Sequence, residues 1–228
     1  MVEKTYQNGE TFLDGSAVPC PRCRGEQYQA QRLSQRLSET SRVPNLYKRA
    51  AVSDLPAQVS ADVERVLADR NGHAFLSVSG GPGIGKTHLL CAVVQRAITL
   101  GRSAVYTSVY DVLQHMRRAF ANGESQRGDL FYQNLLTCNV LALDEIDRFN
   151  ATEFSGSLLF DLLNKRYESG KGVTVLAGNN DLRQSDLFGE MSAALRSRIY
   201  ERGVGNVAIV LEDIDRRSRG AHQERLHS

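Results

Sequence analysis

From about residue 74 onward, the apolar positions of this chain alternate between two patterns. Short unbroken runs at Phe75–Ser79, Ala104–Thr107, Asn139–Leu143 and Val173–Ala177 are rich in Val, Leu and Ala. Apolar runs of this length without polar alternation suit parallel strands covered on both faces. Between and after them, Thr87–Leu100, Val109–Ala121, Gly156–Ser169 and Met191–Arg202 carry apolar residues at helical spacing. Val207–Leu211 supplies a further strand that closes the sheet. The alternation predicts an α/β fold: a three-layer domain on a mostly parallel five-stranded sheet, with ligands at the carboxyl ends of the strands.

The first 50 residues read differently. They are polar, contain Cys20-Pro21-Arg22-Cys23, and include a Gln/Arg-rich stretch from Gln27 to Arg42 in which Leu33 and Leu37 give only a thin apolar stripe. This is poor core material, and it predicts a separate N-terminal partner-binding region over 1–50 with one helix, tethered by Val43-Pro44-Asn45-Leu46-Tyr47. A main domain is expected over 51–220 and a tail over 221–228. Pro56, a helix-like run from Val59 to Ala68 and an Asn71-Gly72 turn lead into the first confident strand.

The loop after that strand carries the chemistry. Gly80, Gly81, Pro82, Gly83, Ile84, Gly85, Lys86 and Thr87 fit G-x-x-x-x-G-K-[ST] without a mismatch, between an apolar strand and an apolar helix. Glycines there let successive backbone N–H groups point into one concavity at a helix N-terminus, where they bind phosphate oxygens. Lys86 is expected to reach the β- and γ-phosphates of ATP and Thr87 to offer its hydroxyl to Mg²⁺, with His88 counted beside them in the nucleotide site. The run Asn139–Leu143 then delivers Asp144 and Glu145 at its carboxyl end. Asp144 is expected to hold the Mg²⁺ hydration shell and Glu145 to polarise the attacking water. The next strand ends in Asn179-Asn180. An amide there lies between the strand ends carrying the phosphate loop and the acids; Asn179 is favoured over Asn180, an Asn–Asn turn being the alternative.

Composition adds bounds. The chain has 228 residues, a formal net charge of +2 and four cysteines. No window approaches the roughly 18 apolar residues that span a bilayer, and the N-terminus lacks a signal-peptide pattern, so a cytoplasmic protein with no membrane association is expected. Cys91 and Cys138 fall inside apolar runs and read as buried thiols. Cys20 and Cys23 have knuckle spacing, but the stretch from Arg24 to Leu67 contains neither Cys nor His. A structural zinc needs four ligands, so reduced thiols on a degenerate ribbon are expected, with zinc shared between chains as the alternative. The net charge is too small to identify a nucleic-acid partner; local arginine clusters weigh more.

Taken together, these residues resemble the helicase-loader and transposition-helper group of AAA+ ATPases, the DnaC/IstB-like proteins. The resemblance covers roughly residues 40 to 217 and rests on the phosphate loop, Leu143-Asp144-Glu145-Ile146-Asp147, Leu162-Leu163-Asn164-Lys165-Arg166-Tyr167, and Leu195-Arg196-Ser197-Arg198-Ile199. It implies that Arg198 acts as a finger on a neighbouring subunit's ATP, which requires a homo-oligomer and makes hydrolysis by an isolated chain slow. It implies that Arg216 resembles the second sensor, and that the core lacks a full helical lid. The helix from Val109 occupies the place where the loaders contact single-stranded DNA, with Arg117, Arg118 and Phe120 as candidates; Phe120 also fits the apolar face of Val109, Val112, Leu113 and Met116. The function implied is an ATP-dependent loader that binds a replicative DNA helicase and single-stranded DNA. Rival readings are a transposition helper acting on duplex DNA, a small-molecule kinase, which Glu145 disfavours, and a nucleotide-dependent scaffold without turnover.

Overall fold

The structure, a computed structural model, describes residues 4–5, 11–12, 25–69, 72–123, 125–149, 152–180, 192–200 and 207–211. Strands β1 (Lys4–Thr5) and β2 (Thr11–Phe12) form a two-residue antiparallel pair. Helix α1 (Gly25–Thr40), two 3-10 turns (Asn45–Tyr47 and Val52–Asp54) and α2 (Ala57–Ala68) precede the main sheet. Then follow β3 (His73–Ser79), α3 (Lys86–Thr99), β4 (Ala104–Ser108), α4 (Val109–Ala121), α5 (Ser125–Thr137), β5 (Val140–Asp144), α6 (Glu153–Glu168), β6 (Gly172–Gly178), α7 (Ser192–Ile199) and β7 (Val207–Val210).

The five main strands are all parallel, in the order β4-β5-β6-β3-β7. Period-two alternation along β3 sorts its side chains into two cores. Ala74, Leu76 and Val78 join α2 and α3 on one face, whereas Phe75 faces the cluster built by α4, α5, α6 and α7. These are the three expected layers. Because β6 lies between β5 and β3, the acids, the Asn pair and the phosphate loop emerge from three adjacent strand ends, which is where open parallel sheets place ligands.

Several element boundaries differ from the sequence reading, each for a local reason. β5 starts after Asn139, whose Oδ1 instead accepts from the backbone N (3.1 Å) and Oγ (3.0 Å) of Ser103. α6 starts at Glu153, well before Gly156, because Thr152 and Ser155 cap it reciprocally: Ser155 N donates to Thr152 Oγ1 (3.2 Å) and Thr152 N to Ser155 Oγ (2.8 Å). Helix α5 was not expected at all. It packs against α4 where Gly128 faces Ala119, and a Cβ at Gly128 would lie 2.9 Å from that of Ala119. A residue that reads as a helix breaker is what lets the two helices approach.

The boundary expected near residue 50 is also corrected. Leu37 and Tyr47 pack against the β3–α3 core, and Val43 and Ala50 are buried in it. Edge strand β4 would otherwise expose a backbone donor; Tyr106 N donates instead to Ser41 O at 2.8 Å. The segment from about Leu37 onward is therefore part of the main domain.

Candidate active site

The phosphate loop is braced by the chain after β7 and by the Lys86 side chain. Gly80 has φ +147°, and a Cβ there would meet Leu211 O at 2.6 Å as well as the Ile84 side chain. Leu211 N in turn donates to Ser79 O (2.9 Å), so the end of β7 braces the loop. Ile84 is buried, which leaves its backbone rather than its side chain to serve a phosphate. Gly85 caps α3, so Lys86 and Thr87 occupy its first turn, where helix N–H groups are free to bind an anion. Lys86 Nζ donates to Gly80 O (2.6 Å), Gly81 O (2.7 Å) and Asn179 Oδ1 (3.0 Å). Asn179 thus touches the phosphate-loop lysine, whereas Asn180 turns its side-chain amide to Asp147 Oδ2 (3.3 Å).

Asp144 is 3% exposed at the end of β5. Its Oδ2 accepts from Thr87 Oγ1 (2.7 Å) and Tyr106 OH (3.0 Å), and its Oδ1 accepts from Glu145 N (2.9 Å). Burial and the Asp144 carboxylate push the Cys91 thiol up to about 12 and raise the Tyr106 phenol above its ordinary value. Both groups therefore stay neutral beside the acid. A carboxylate touching a hydroxyl at the mouth of a phosphate loop is the hard oxygen set that suits Mg²⁺, an ion that binds proteins through one or two carboxylates plus phosphates. Thr87 and Asp144 fit that ion.

Glu145 follows in a left-handed backbone conformation, φ +55°. Its Oε1 pairs with Arg148 Nη1 at 2.9 Å. Asp147 reaches across to β6, where its Oδ2 accepts from Asn179 N (2.6 Å) and Asn180 N (3.0 Å). A cavity of about 270 Å³ lies over these groups, lined among others by Lys86, Thr87, Asp144, Glu145 and Asn179. Pro82, Gly83, Gly85 and His88 line it too, and Tyr47 closes one side. The His88 and Tyr47 rings meet edge to face, with centroids 6.4 Å apart, and His88 Nε2 is 3.5 Å from Asp54 Oδ2.

Other predicted site residues lie elsewhere. Arg198, on α7, donates to Asn164 Oδ1 and sits 5.3 Å from the Tyr167 ring centroid, against α6 and away from the cavity. Arg117 and Arg118 are exposed on α4. Phe120 does not join the apolar face it was expected to fit: Val112, Leu113, Met116 and Ala119 are buried, but Phe120 is 55% exposed and meets Phe154 edge to face (6.1 Å). It lies in the last turn of α4, where the α6 residue Phe154 meets it. Arg216, Cys20 and Cys23 lie outside the described residues. Sequence reasoning missed Tyr106, Asp147, Arg148 and Tyr47. Asp147 and Tyr106 act through contacts 32 and 38 residues away along the chain, so no local pattern announces them.

A phosphate loop, paired acids at the end of β5 and an intervening strand with a polar tip, all on this parallel sheet, define a P-loop NTPase of the AAA+ type. The chain belongs to the IstB-like ATP binding protein family, whose model matches residues 26–215. It is 28% identical over 148 residues (65% of this chain, 56% of the relative) to an uncharacterized Escherichia coli protein, YdaV. It is 29% identical over 144 residues (59% and 52%) to the insertion sequence IS21 putative ATP-binding protein of Pseudomonas aeruginosa. Over 122 residues (54% and 49%) it is 26% identical to the replicative helicase loader DnaC of Escherichia coli. The chain spans about half the length of the curated relatives it matches. Among solved structures, AMPPCP-bound DnaA from Aquifex aeolicus superimposes with a TM-score of 0.62 at 20% identity, over 82% of this chain and 56% of that one. The DnaC helicase loader does so at 0.60 and 20%, over 74% of this chain and all of that one. Both likenesses concern the fold.

Proposed function

We propose that this protein hydrolyses ATP to ADP and phosphate and uses the nucleotide state as a switch to load a replicative DNA helicase onto single-stranded DNA. The observation that carries the ATPase reading is the convergence of two hydrogen-bonded pairs, Lys86 with Asn179 and Thr87 with Asp144, at three adjacent strand ends. In this reading the loop amides and Lys86 bind the β- and γ-phosphates, and Asn179 orients the γ-phosphate side against Lys86. Glu145 takes the proton of the attacking water, and Arg198 from a neighbouring copy stabilises charge on the transferred group. Mg²⁺ at Thr87 and Asp144 would neutralise phosphate charge. Tyr47 and His88 flank the cavity where the base would lie.

The loader assignment is supported by the match to the DnaC relative and by the exposed arginines of α4. A second reading, a transposition helper on duplex DNA, is favoured by the IS21 relative and the family matched. The reading includes a cytoplasmic setting; among the described residues no helix is long and apolar enough to cross a membrane. The test combines two variants with one capture. Lys86→Ala is expected to lose ATP binding, and Glu145→Gln to bind ATP while losing turnover by ~10²–10⁴. The replicative helicase of the source organism is expected to be captured by the wild type. ATP affinity unchanged in Lys86→Ala would refute the nucleotide site. No helicase capture, together with ATP turnover stimulated by duplex DNA alone, would favour the helper.

A further inference from the structure

The backbone and the side chain of Tyr106 serve different neighbours. In the parallel pairing of β4 with β5, Tyr106 lies opposite Ala142 and Ser108 opposite Asp144. Period-two alternation therefore puts Asp144 on the same face as Ala142 and Tyr106, both of which pack in the core under α3. The small side chain of Ala142 leaves the phenol room to lean along the strand, and its hydroxyl donates to Asp144 Oδ2 at 3.0 Å. Its main chain is fixed from the other side, where Tyr106 N donates to Ser41 O at 2.8 Å. Thr87 Oγ1 donates to the same Oδ2 (2.7 Å), and Glu145 N to Oδ1 (2.9 Å). Three of the roughly four lone-pair sites of the carboxylate are thus taken.

We propose that Tyr106 is a positioning residue for the cation site: its hydroxyl fixes the Asp144 carboxylate, which fixes the Thr87 hydroxyl, and this rigidity favours Mg²⁺ over Ca²⁺. The proposal rests on the reading of Thr87 and Asp144 as the groups that hold the nucleotide's cation. A hydroxyl has one proton and two lone pairs. Thr87 commits its proton to Asp144 Oδ2, so its lone pairs are left for the cavity that Thr87 and Asp144 both line. Without the phenol, the Asp144 carboxylate turns about its last torsion, which is broad where nothing holds it, and the Thr87 hydroxyl turns with it. Mg²⁺ demands near-ideal octahedral geometry, whereas Ca²⁺ accepts a variable number of oxygens in flexible arrangements. A loosened Thr87–Asp144 pair therefore weighs on Mg²⁺ more than on Ca²⁺.

The experiment measures binding of a fluorescent ATP analogue to the full chain in EDTA, and then with Mg²⁺ or Ca²⁺ titrated in, for wild type, Tyr106→Phe and Cys91→Ala. Tyr106→Phe removes one oxygen and keeps the ring. Cys91→Ala loosens the buried core beside Asp144 but takes no hydrogen-bond donor from it. Partners standing behind metal ligands typically change metal affinity about 10–100-fold. Tyr106→Phe is therefore expected to need about tenfold more Mg²⁺ for half of the full enhancement, with the Ca²⁺ requirement moving less than about threefold and affinity in EDTA staying within about twofold. Cys91→Ala is expected to match wild type in all three conditions. Unchanged Mg²⁺ dependence in Tyr106→Phe would overturn the proposal. So would an equal shift for both cations, or a loss of affinity in EDTA, which would show that Tyr106 holds the fold rather than the carboxylate. A shift of the same size in Cys91→Ala would overturn it too, by assigning the effect to packing instead of the hydroxyl. A wild type whose affinity ignores both cations would remove the cation from Thr87 and Asp144, and so marks failure of the underlying reading rather than of Tyr106 alone.

Discussion

Replacing Arg166 is predicted to be the most damaging single substitution outside the nucleotide cavity. Its side chain is 1% exposed and forms no ion pair among the described residues; its donors go to neutral acceptors. Nη1 donates to Leu135 O (2.8 Å), Leu136 O (3.0 Å) and Cys138 O (3.0 Å), Nη2 to Val173 O (3.0 Å), and Nε to Thr174 Oγ1 (2.8 Å). Three of these acceptors lie at the carboxyl end of α5, where helix carbonyls have no partner of their own and the dipole favours a cation. Arg166 therefore ties the end of α5 to β6 through backbone carbonyls of both and the Thr174 hydroxyl. A hydrogen bond to a charged group contributes about 1.5–3 kcal/mol, but the five bonds share one cation whose own desolvation offsets much of their sum. The net loss on Arg166→Met is put at about 3–5 kcal/mol, since each buried acceptor left without its donor costs about 1–3 kcal/mol and relief of the cation's desolvation offsets part of their sum. Urea unfolding followed by circular dichroism should show the midpoint falling at unchanged slope, with Tm lower by roughly 6–20 °C for a chain of this size. Arg166→Lys, which keeps the charge but not the fork, should recover part of the loss. A loss below about 1 kcal/mol in Arg166→Met would refute the reasoning, since it would mean that desolvating the cation costs as much as its five bonds return.

Two further predictions concern the site. Asp147→Ala frees the backbone amides of Asn179 and Asn180, so turnover is expected to fall about tenfold while ATP affinity stays within about twofold; equal losses in both would show that Asp147 holds the fold rather than positions Asn179. Arg198→Ala is expected to bind ATP as wild type does and lose turnover by roughly 10³ or more, with partial recovery on mixing with Lys86→Ala chains; mixed assemblies that recover nothing would place Arg198 in cis, on the α6 contacts the structure shows.

What could be read from the sequence was whatever depends on spacing. The phosphate loop needs glycines and a Lys-Thr pair at fixed intervals, and the acids need only an apolar strand ahead of them, so both stood out, as did the class of fold. Asn179 followed once a third strand was expected between the other two. Phe120 shows where this reasoning stops: helical periodicity says which residues share a face, but not that Phe120 stays half exposed while Ala119 beside it is buried. Helix α5 was hidden because Gly128 weakens a helical pattern on propensity, and the compensating contact with Ala119 exists only in three dimensions. Arg166 entered the sequence reading only within the run Leu162–Tyr167; its burial depends on α5 and β6 arriving at the same place.

The segment Asp144–Arg148 compresses these lessons into five residues. A left-handed backbone at a non-glycine residue costs of order 1–3 kcal/mol and persists only where its surroundings over-determine it. Glu145 is held in that state by neighbours on both sides: its own N–H donates to Asp144 Oδ1, Ile146 N donates to Ala177 O (2.9 Å), and Arg148 N donates to Glu145 O (2.9 Å). The reversal sends consecutive side chains to different tasks. Asp144 turns in toward Thr87 and Tyr106, Asp147 crosses to the amides after β6, and Arg148 doubles back to Glu145. With an ordinary extended backbone at Glu145, Asp147 would have no route to Asn179, and the lysine of the phosphate loop would lose the partner that links it to this turn. The strain therefore sits where one short segment must meet both the phosphate-loop helix and the Asn pair after β6.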